Sequence, residues 1–295
     1  MDSVKNNSGD FMDKHLIEKI IEKLPVMDRV AREVISIIND ENTTSTQLEN
    51  TIKKDSVLTL KVLKLANSSY FSPMKPITTT AHAIRYIGFN TLKSLVYSIA
   101  LQSIGSTSGK AGKEIKYLHN KSIGNGVVAM IVGRSYFRKN RKGFSPEDYY
   151  TFSLFHDIGL ISLVNYDYEA YKILEKKVFE ERVPIVKAEI YYDHSLIGQK
   201  LMEKWQLPES FSQMIKTHHQ ELDSEDKFYI TSKIINIAEH LCYIKGIDGF
   251  ADKNFDIVNE LIDLNLDPTE FFNDNGDLNE SFVGQFDELL GTLLN

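Results

Sequence analysis

Cysteine is almost missing from this chain. Cys242 is the only one in 295 residues, so no internal disulfide can form. Its apolar neighbours Ile234, Ile235, Ala238 and Leu241 predict a buried structural thiol rather than a nucleophile. Long apolar runs are missing too, since no stretch approaches the roughly 18 continuous apolar residues that span a bilayer. The opening residues, Met1 to Asn7, lack the apolar core of a secretion signal. Both absences predict a cytoplasmic protein with no membrane partner. Positive charge is in short supply: the net charge of −7 argues against a nucleic-acid partner, which needs a basic face. The one short basic run, Arg138 to Lys142, ends at Gly143 and reads as a solvated interhelical loop, with a local anion contact as the weaker alternative. No segment alternates at period two over several residues, so no sheet is expected. Internal repeats and long low-complexity tracts are also lacking.

Helical periodicity is abundant. At 42% hydrophobic and 25% charged residues the chain has the composition of a globular protein, long enough for one large or two modest domains. Leu16, Ile17, Ile20, Ile21 and Leu24 form a helical stripe that stops at Pro25. A second helix runs through Val30, Val34, Ile37 and Ile38, and Ser45 or Thr46 is placed to cap a short third one. The segment from Val57 to Ala66 is apolar on several sides and predicts a buried helix. Pro73 and Pro76 interrupt the chain before a helix carrying Ala83, Ile84, Ile87 and Gly88. Residues 105–113 are small and flexible, the clearest linker. The expected organisation is therefore a polar tail over 1–14, a helical subdomain over 15–108, a second over 109–249, and acidic C-terminal helices over 250–295.

Chemistry concentrates in the second half. His156-Asp157 is followed by His194, by His218-His219 and by Glu239, residue types that clamp divalent metals between helices. Adjacent helical residues point about 100° apart, so both members of the doublet reach one ion only near a helix end, and Gly159 fits such an end. Taken alone, the doublet is better read as a half-buried histidine whose ring N–H is held by a neighbouring carboxylate. The rest of the pattern shifts that balance. His194 shares a face with Val186, Ile190, Ile197, Leu201 and Trp205; His218 follows the inward residues Phe211, Met214 and Ile215; Glu239 lies between Ile235 and Cys242. Buried polar groups need partners, and a shared metal or one polar network provides them. Upstream, at the position where a first histidine ligand belongs, the preferred register gives Lys121, with His119 as the alternative register. An ammonium would have to lose its proton to coordinate, against the field of the ion itself.

The motifs, taken together, resemble the HDOD family, the HD-related output domains of bacterial signalling proteins. Leu24 to Met27, Ile52 to Leu58, Val62 to Phe71, Ile77 to Gly88, Leu154 to Gly159, Asp193 to Gly198, Trp205 to Pro208 and His218-His219 carry the resemblance. It implies an all-α fold, with a small N-terminal helical subdomain packed on a divergent HD-phosphohydrolase-like one. It also implies a role in signal transduction and an incomplete set of HD metal ligands. Compared with the HD-GYP phosphodiesterases, Gln220 to Asp223 follows the histidine pair and no Gly-Tyr-Pro segment is present. The expected function is a noncatalytic regulatory module that binds a partner signalling protein or a small ligand. Its cofactor would be none, or a weakly held divalent metal (Fe, Mn, Zn or Mg). The competing reading is a metal-dependent phosphohydrolase in which Lys121 or Lys200 grips phosphate. Asn67, Ser68, Tyr70 and Phe71 have two readings as well, a helix end with a packed seam or the floor of an interdomain cleft. A weaker idea is a scaffold that dimerises through the acidic C-terminal helices.

Overall fold

A computed structural model describes residues 4–5, 11–12, 14–23, 29–40, 42–68, 70–105, 108–189, 192–247 and 255–294. The Leu24 to Met27 motif, Pro25 included, lies outside these residues, as do Ser69 and Ile190. Helices dominate, as the periodicity predicts, and the fold is all-α. Among the described residues a two-stranded pairing that the sequence does not lead us to expect joins Val4–Lys5 to Phe11–Met12, and an isolated bridge joins Phe272 to Leu278. The first five helices are α1 (Lys14–Lys23), α2 (Arg29–Ile38), α3 (Ser45–Ile52), α4 (Ser56–Ala66) and α5 (Thr80–Gln102). Thr44, not Ser45 or Thr46, caps α3, because its side chain and that of Gln47 satisfy each other's backbone N–H groups in a capping box. Asp55 caps α4 by accepting from Val57 and Leu58. α4 is not buried on all sides: Val57 and Leu60 are more than half exposed while Leu58, Val62, Leu65 and Ala66 face the core. Within α5 the chain turns at Gly88, whose φ of 80° is accessible to glycine without a Cβ penalty.

The 32-residue α6 (Gly109–Asn140) is the axis of the molecule, about 48 Å long and buried over most of its length. It begins inside the expected 105–113 linker, so 109–113 are helical; residues 106–107 lie outside the described ones. Arg138 to Asn140 of the basic run form the last turn of α6, where cationic side chains are favoured, Arg141 supplies the left-handed cap, and only Lys142 lies in the expected loop. α7 (Pro146–Phe155), α8 (Ile158–Tyr166), α13 (Tyr229–Ile244) and α15 (Glu280–Leu294) pack against it. α9 (Tyr168–Phe179), α10 (Ile185–Ala188), α11 (His194–Lys204), α12 (Glu209–Thr217) and α14 (Ile257–Asp263) complete the helices. The stripe from Val186 to Trp205 is not one helix. α10 ends at Ala188, Val186 is exposed, and the chain restarts with Asp193 capping α11. The buried apolar side chains form one continuous core. No helix among the described residues is long and apolar enough to cross a membrane.

Candidate metal centre

Each candidate ligand occupies a helix end or a face that turns inward. α7 stops at Phe155 and α8 starts at Ile158, so His156 and Asp157 sit in the junction, where backbone geometry aims both side chains at one point. Gly159 does not end a helix as expected; it lies within α8 for a different reason. A Cβ there would stand 1.9 Å from the His194 carbonyl oxygen, so glycine lets the start of α11 press against α8. His194 is the first residue of α11, and His218 follows the last residue of α12. Glu239 and Lys121 project from the middle of α13 and α6.

These side chains meet in two halves that share Asp157. On one side Asp157 Oδ2 lies 2.7 Å from Lys121 Nζ and 3.2 Å from His156 Nε2. Glu239 Oε1 closes this half at 3.1 Å from His156 Nε2 and 3.6 Å from Lys121 Nζ. On the other side Asp157 Oδ1 faces His194 Nε2 at 3.5 Å and His218 Nε2 at 3.9 Å, and those two nitrogens are 3.2 Å apart. The His219 ring centroid stands 4.0 Å from that of His218 and 5.0 Å from that of His194. Lys121, His156, Asp157, His194, His218 and Glu239 are all buried, and His219 is half-buried.

Tautomers follow from the outer contacts. His156 Nδ1 lies 2.6 Å from the Ser153 carbonyl and His218 Nδ1 2.6 Å from the Ile215 carbonyl, both of which can only accept. His194 Nδ1 meets Glu189 Oε1 at 2.6 Å, and the same oxygen accepts from the His194 backbone N–H at 2.9 Å. All three rings therefore commit Nδ1–H outward and turn Nε2 toward Asp157. Glu189 was not among the candidates read from sequence. It lies five residues before His194, across the break between α10 and α11, where periodicity carries no signal.

Charge is balanced within the cluster. Burial would lower the Lys121 pKa, but Asp157 and Glu239 outweigh it and hold the ammonium above the ordinary lysine range. Burial also acts against His156, which the same carboxylates nonetheless raise to about 10. Burial opposes ionisation of both acids, yet His156 and Lys121 hold Asp157 well below its usual value and Glu239 at about 2. His194 is raised, with Glu189 overcoming burial. His218 and His219 are pushed down by burial and by their imidazole neighbours.

The resemblance to HD-type proteins implies a metal, and among the described residues two groups of donors have their ligand atoms within 4.8 Å of one another. These are Asp157, His194, His218 and His219, and separately His156, Asp157 and Glu239. The first group fits a divalent ion, with three imidazoles and one carboxylate. The second already has the Lys121 ammonium between its carboxylates. His119, the alternative first ligand, belongs to neither group; burial holds its ring down at about 4, and its backbone-bonded contact is with Ile104. Lys200 is turned outward, paired with Glu203 at 2.7 Å.

The cleft candidates lie elsewhere. Asn67 ends α4, donating to the Leu63 and Ile77 carbonyls and accepting from the Ile77 N–H. Ser68 donates to the Leu65 carbonyl. Tyr70 lies under the Arg134 guanidinium of α6, 4.2 Å from ring centroid to Cζ, and Phe71 accepts from the Tyr86 hydroxyl through its carbonyl. Cys242 is buried, as its neighbours predict, and burial pushes its thiol up.

Comparison with known proteins gives the frame a family. The family model of the HDOD domain matches residues 24–221. An uncharacterized protein of Treponema pallidum (strain Nichols) is 25% identical over 202 residues, 68% of this chain and 38% of that protein. The chain thus spans 38% of the length of that curated relative. Among solved structures, an HDOD domain protein of unknown function from Geobacter sulfurreducens superposes with a TM-score of 0.64 at 20% identity, covering 95% of this chain and 90% of that one. A candidate phosphohydrolase from Shewanella amazonensis SB2B gives 0.67 at 20% identity, with 94% and 97% covered. A candidate signal transduction protein from Marinobacter aquaeolei VT8 gives 0.65 at 18% identity, with 96% and 65% covered. Likenesses at this level of identity establish a shared fold.

Proposed function

The chain belongs to the HDOD family, and on that premise we propose that it is a regulatory output module of signal transduction, acting by binding a partner protein or a small ligand rather than by hydrolysing a phosphate ester. The observation that carries this reading is Lys121. Its ammonium is 2.7 Å from Asp157 and 3.6 Å from Glu239, at 2% exposure. A fixed, protonated cation between two carboxylates leaves the pair nothing to offer an ion at that position. Burial adds to it, because a phosphate ester reaching Asp157 would first have to part the helices around it. The family's association with bacterial signalling points the same way.

The phosphohydrolase alternative is favoured by one observation, the Asp157, His194, His218 and His219 group. An ion held there with an open position would lower the pKa of a coordinated water. Residues Gln220 to Asp223 do not supply a Gly-Tyr-Pro segment, which sets cyclic dinucleotides apart as substrates. The two readings separate in a phosphoester screen of protein supplied with Mn²⁺, using bis(p-nitrophenyl) phosphate and nucleoside mono- and triphosphates. The regulatory reading expects rates indistinguishable from those of Asp157→Ala. Turnover by the wild type that Asp157→Ala abolishes, with circular dichroism unchanged, would refute it.

A further inference from the structure

The two oxygens of Asp157 do different things, and the difference sets a stoichiometry. Oδ2 is the oxygen nearest Lys121 and His156, whereas Oδ1 is the one nearest the imidazoles of His194 and His218. We infer that this is a one-ion site by construction: Asp157, His194, His218 and His219 hold a single divalent transition metal in a closed four-ligand shell, and the Lys121 ammonium permanently takes the place of a second ion. The inference rests on the noncatalytic reading above and names the small ligand that the module takes.

Geometry supports it first. Metal bonds of about 2.0–2.2 Å in a tetrahedral shell put ligand atoms about 3.3–3.6 Å apart. The triangle formed by Asp157 Oδ1, His194 Nε2 and His218 Nε2 has edges of 3.5, 3.2 and 3.9 Å. His219 supplies the fourth donor, and its Nε2 is a buried atom with no hydrogen-bond partner. Tautomer is the second support. The Nδ1 atoms of His194 and His218 are occupied by Glu189 and the Ile215 carbonyl, so both rings turn Nε2 inward, 3.2 Å apart. A proton on His194 Nε2 can bridge the two nitrogens, and an ion taking its place would find both already aimed at it. The Glu189–His194 contact also has the form of the outer carboxylate that orients a metal-bound histidine.

Chemistry of the shell agrees with a noncatalytic role. Four protein donors complete a tetrahedral site and leave no position for a water or a substrate oxygen, as structural zinc sites do. The donor set of three imidazoles and one carboxylate selects Zn²⁺, Fe²⁺ or Mn²⁺ over Mg²⁺ and Ca²⁺. The ion would tie together the α7–α8 junction, α11 and the end of α12. Binding of that kind stabilises the folded state in proportion to affinity.

The test counts ions. Full-length protein is stripped with chelator, dialysed against Zn²⁺ or Mn²⁺, freed of excess metal by gel filtration and analysed by plasma mass spectrometry. The expected content is about one ion per chain in the wild type, with a rise in melting temperature on reloading. His194→Ala and His219→Ala should bind none, and His219→Ala, the less buried change, guards against loss of fold. Glu189→Ala should bind about 10–100-fold more weakly, with little change in the melting temperature of the stripped protein. Lys121→His, which exchanges the ammonium for a donor, should take up about two. A folded wild type that binds no ion, or one that binds two, would overturn the inference, as would a Lys121→His protein that remains at one. Phosphoester turnover accompanied by one ion per chain would refute the regulatory reading and the closed shell while leaving the count intact.

Discussion

Asp157 is the principal charge partner of Lys121, 2.7 Å away in a region closed to solvent. Changing Lys121 to Met leaves two buried carboxylates with His156 as their main counter-charge. Removing one member of a buried pair costs about 3–5 kcal/mol, largely the penalty of the stranded charge. Lys121→Met should therefore lower the urea midpoint sharply. The double variant Lys121→Met/Asp157→Asn should recover part of the loss, since the stranded charge has gone too. Equal losses in single and double variants would mean that the ion pair is not what the site depends on. The residues of this cluster are legible in the sequence because histidine and acid residues are rare on inward helix faces. Lys121 is legible for the opposite reason, as a misfit at an expected ligand position. Glu189 is not, since its role depends on where a chain break lets it fold back. Nor does spacing reveal which oxygen of Asp157 faces which partner.

At the scale of elements, the site depends on helix ends meeting. Gly159 lets α8 and the first turn of α11 approach so closely that a Cβ would overlap the His194 carbonyl. Gly159→Ala should therefore destabilise by about 3 kcal/mol or more, at or beyond the upper end of ordinary overpacking. It should also shift the His194 imidazole resonances, which a distant destabilisation would not do. A thermal melt and an NMR spectrum within a degree and a line width of wild type would show that the two helices are not seated as described. Periodicity reveals which faces turn inward, which is why α2, α12 and α13 read correctly from their stripes. It does not reveal what covers a face. α4 is apolar on several sides and yet leaves Val57 and Leu60 outside, because α5 and α15 cover only part of it. A stripe also runs on across a loop when spacing happens to agree, as it does from Val186 to Trp205.

Across the whole molecule, the C-terminal helix belongs to the core. Phe282, Phe286, Leu289 and Leu293 of α15 are buried, and the Leu293 carbonyl accepts from Lys61 Nζ of α4 at 3.2 Å. The same helix lies on α6, with Phe286 beside Gly124. Deleting residues 280–295 should therefore abolish the cooperative melt and expose apolar surface to a dye such as ANS. The scaffold idea requires instead a dimer that becomes a well-folded monomer, which light scattering with an unchanged melt would reveal. An aromatic chain links the N-terminal helices to the site: Tyr97 of α5 meets Phe155 edge-on at 5.5 Å, next to His156, and Phe155 meets Trp205. We propose that 15–108 and 109–249 are two helical subdomains sharing a continuous core. Such continuity is a property of long-range packing, and a linker-like composition does not disclose it.

The most direct test of the whole account is an anomalous-difference map from crystals of the wild type grown with Mn²⁺. The account predicts one peak, bounded by Asp157, His194, His218 and His219, with Lys121 Nζ still against Asp157 and Glu239. A peak between His156, Asp157 and Glu239, with the lysine displaced, would contradict it.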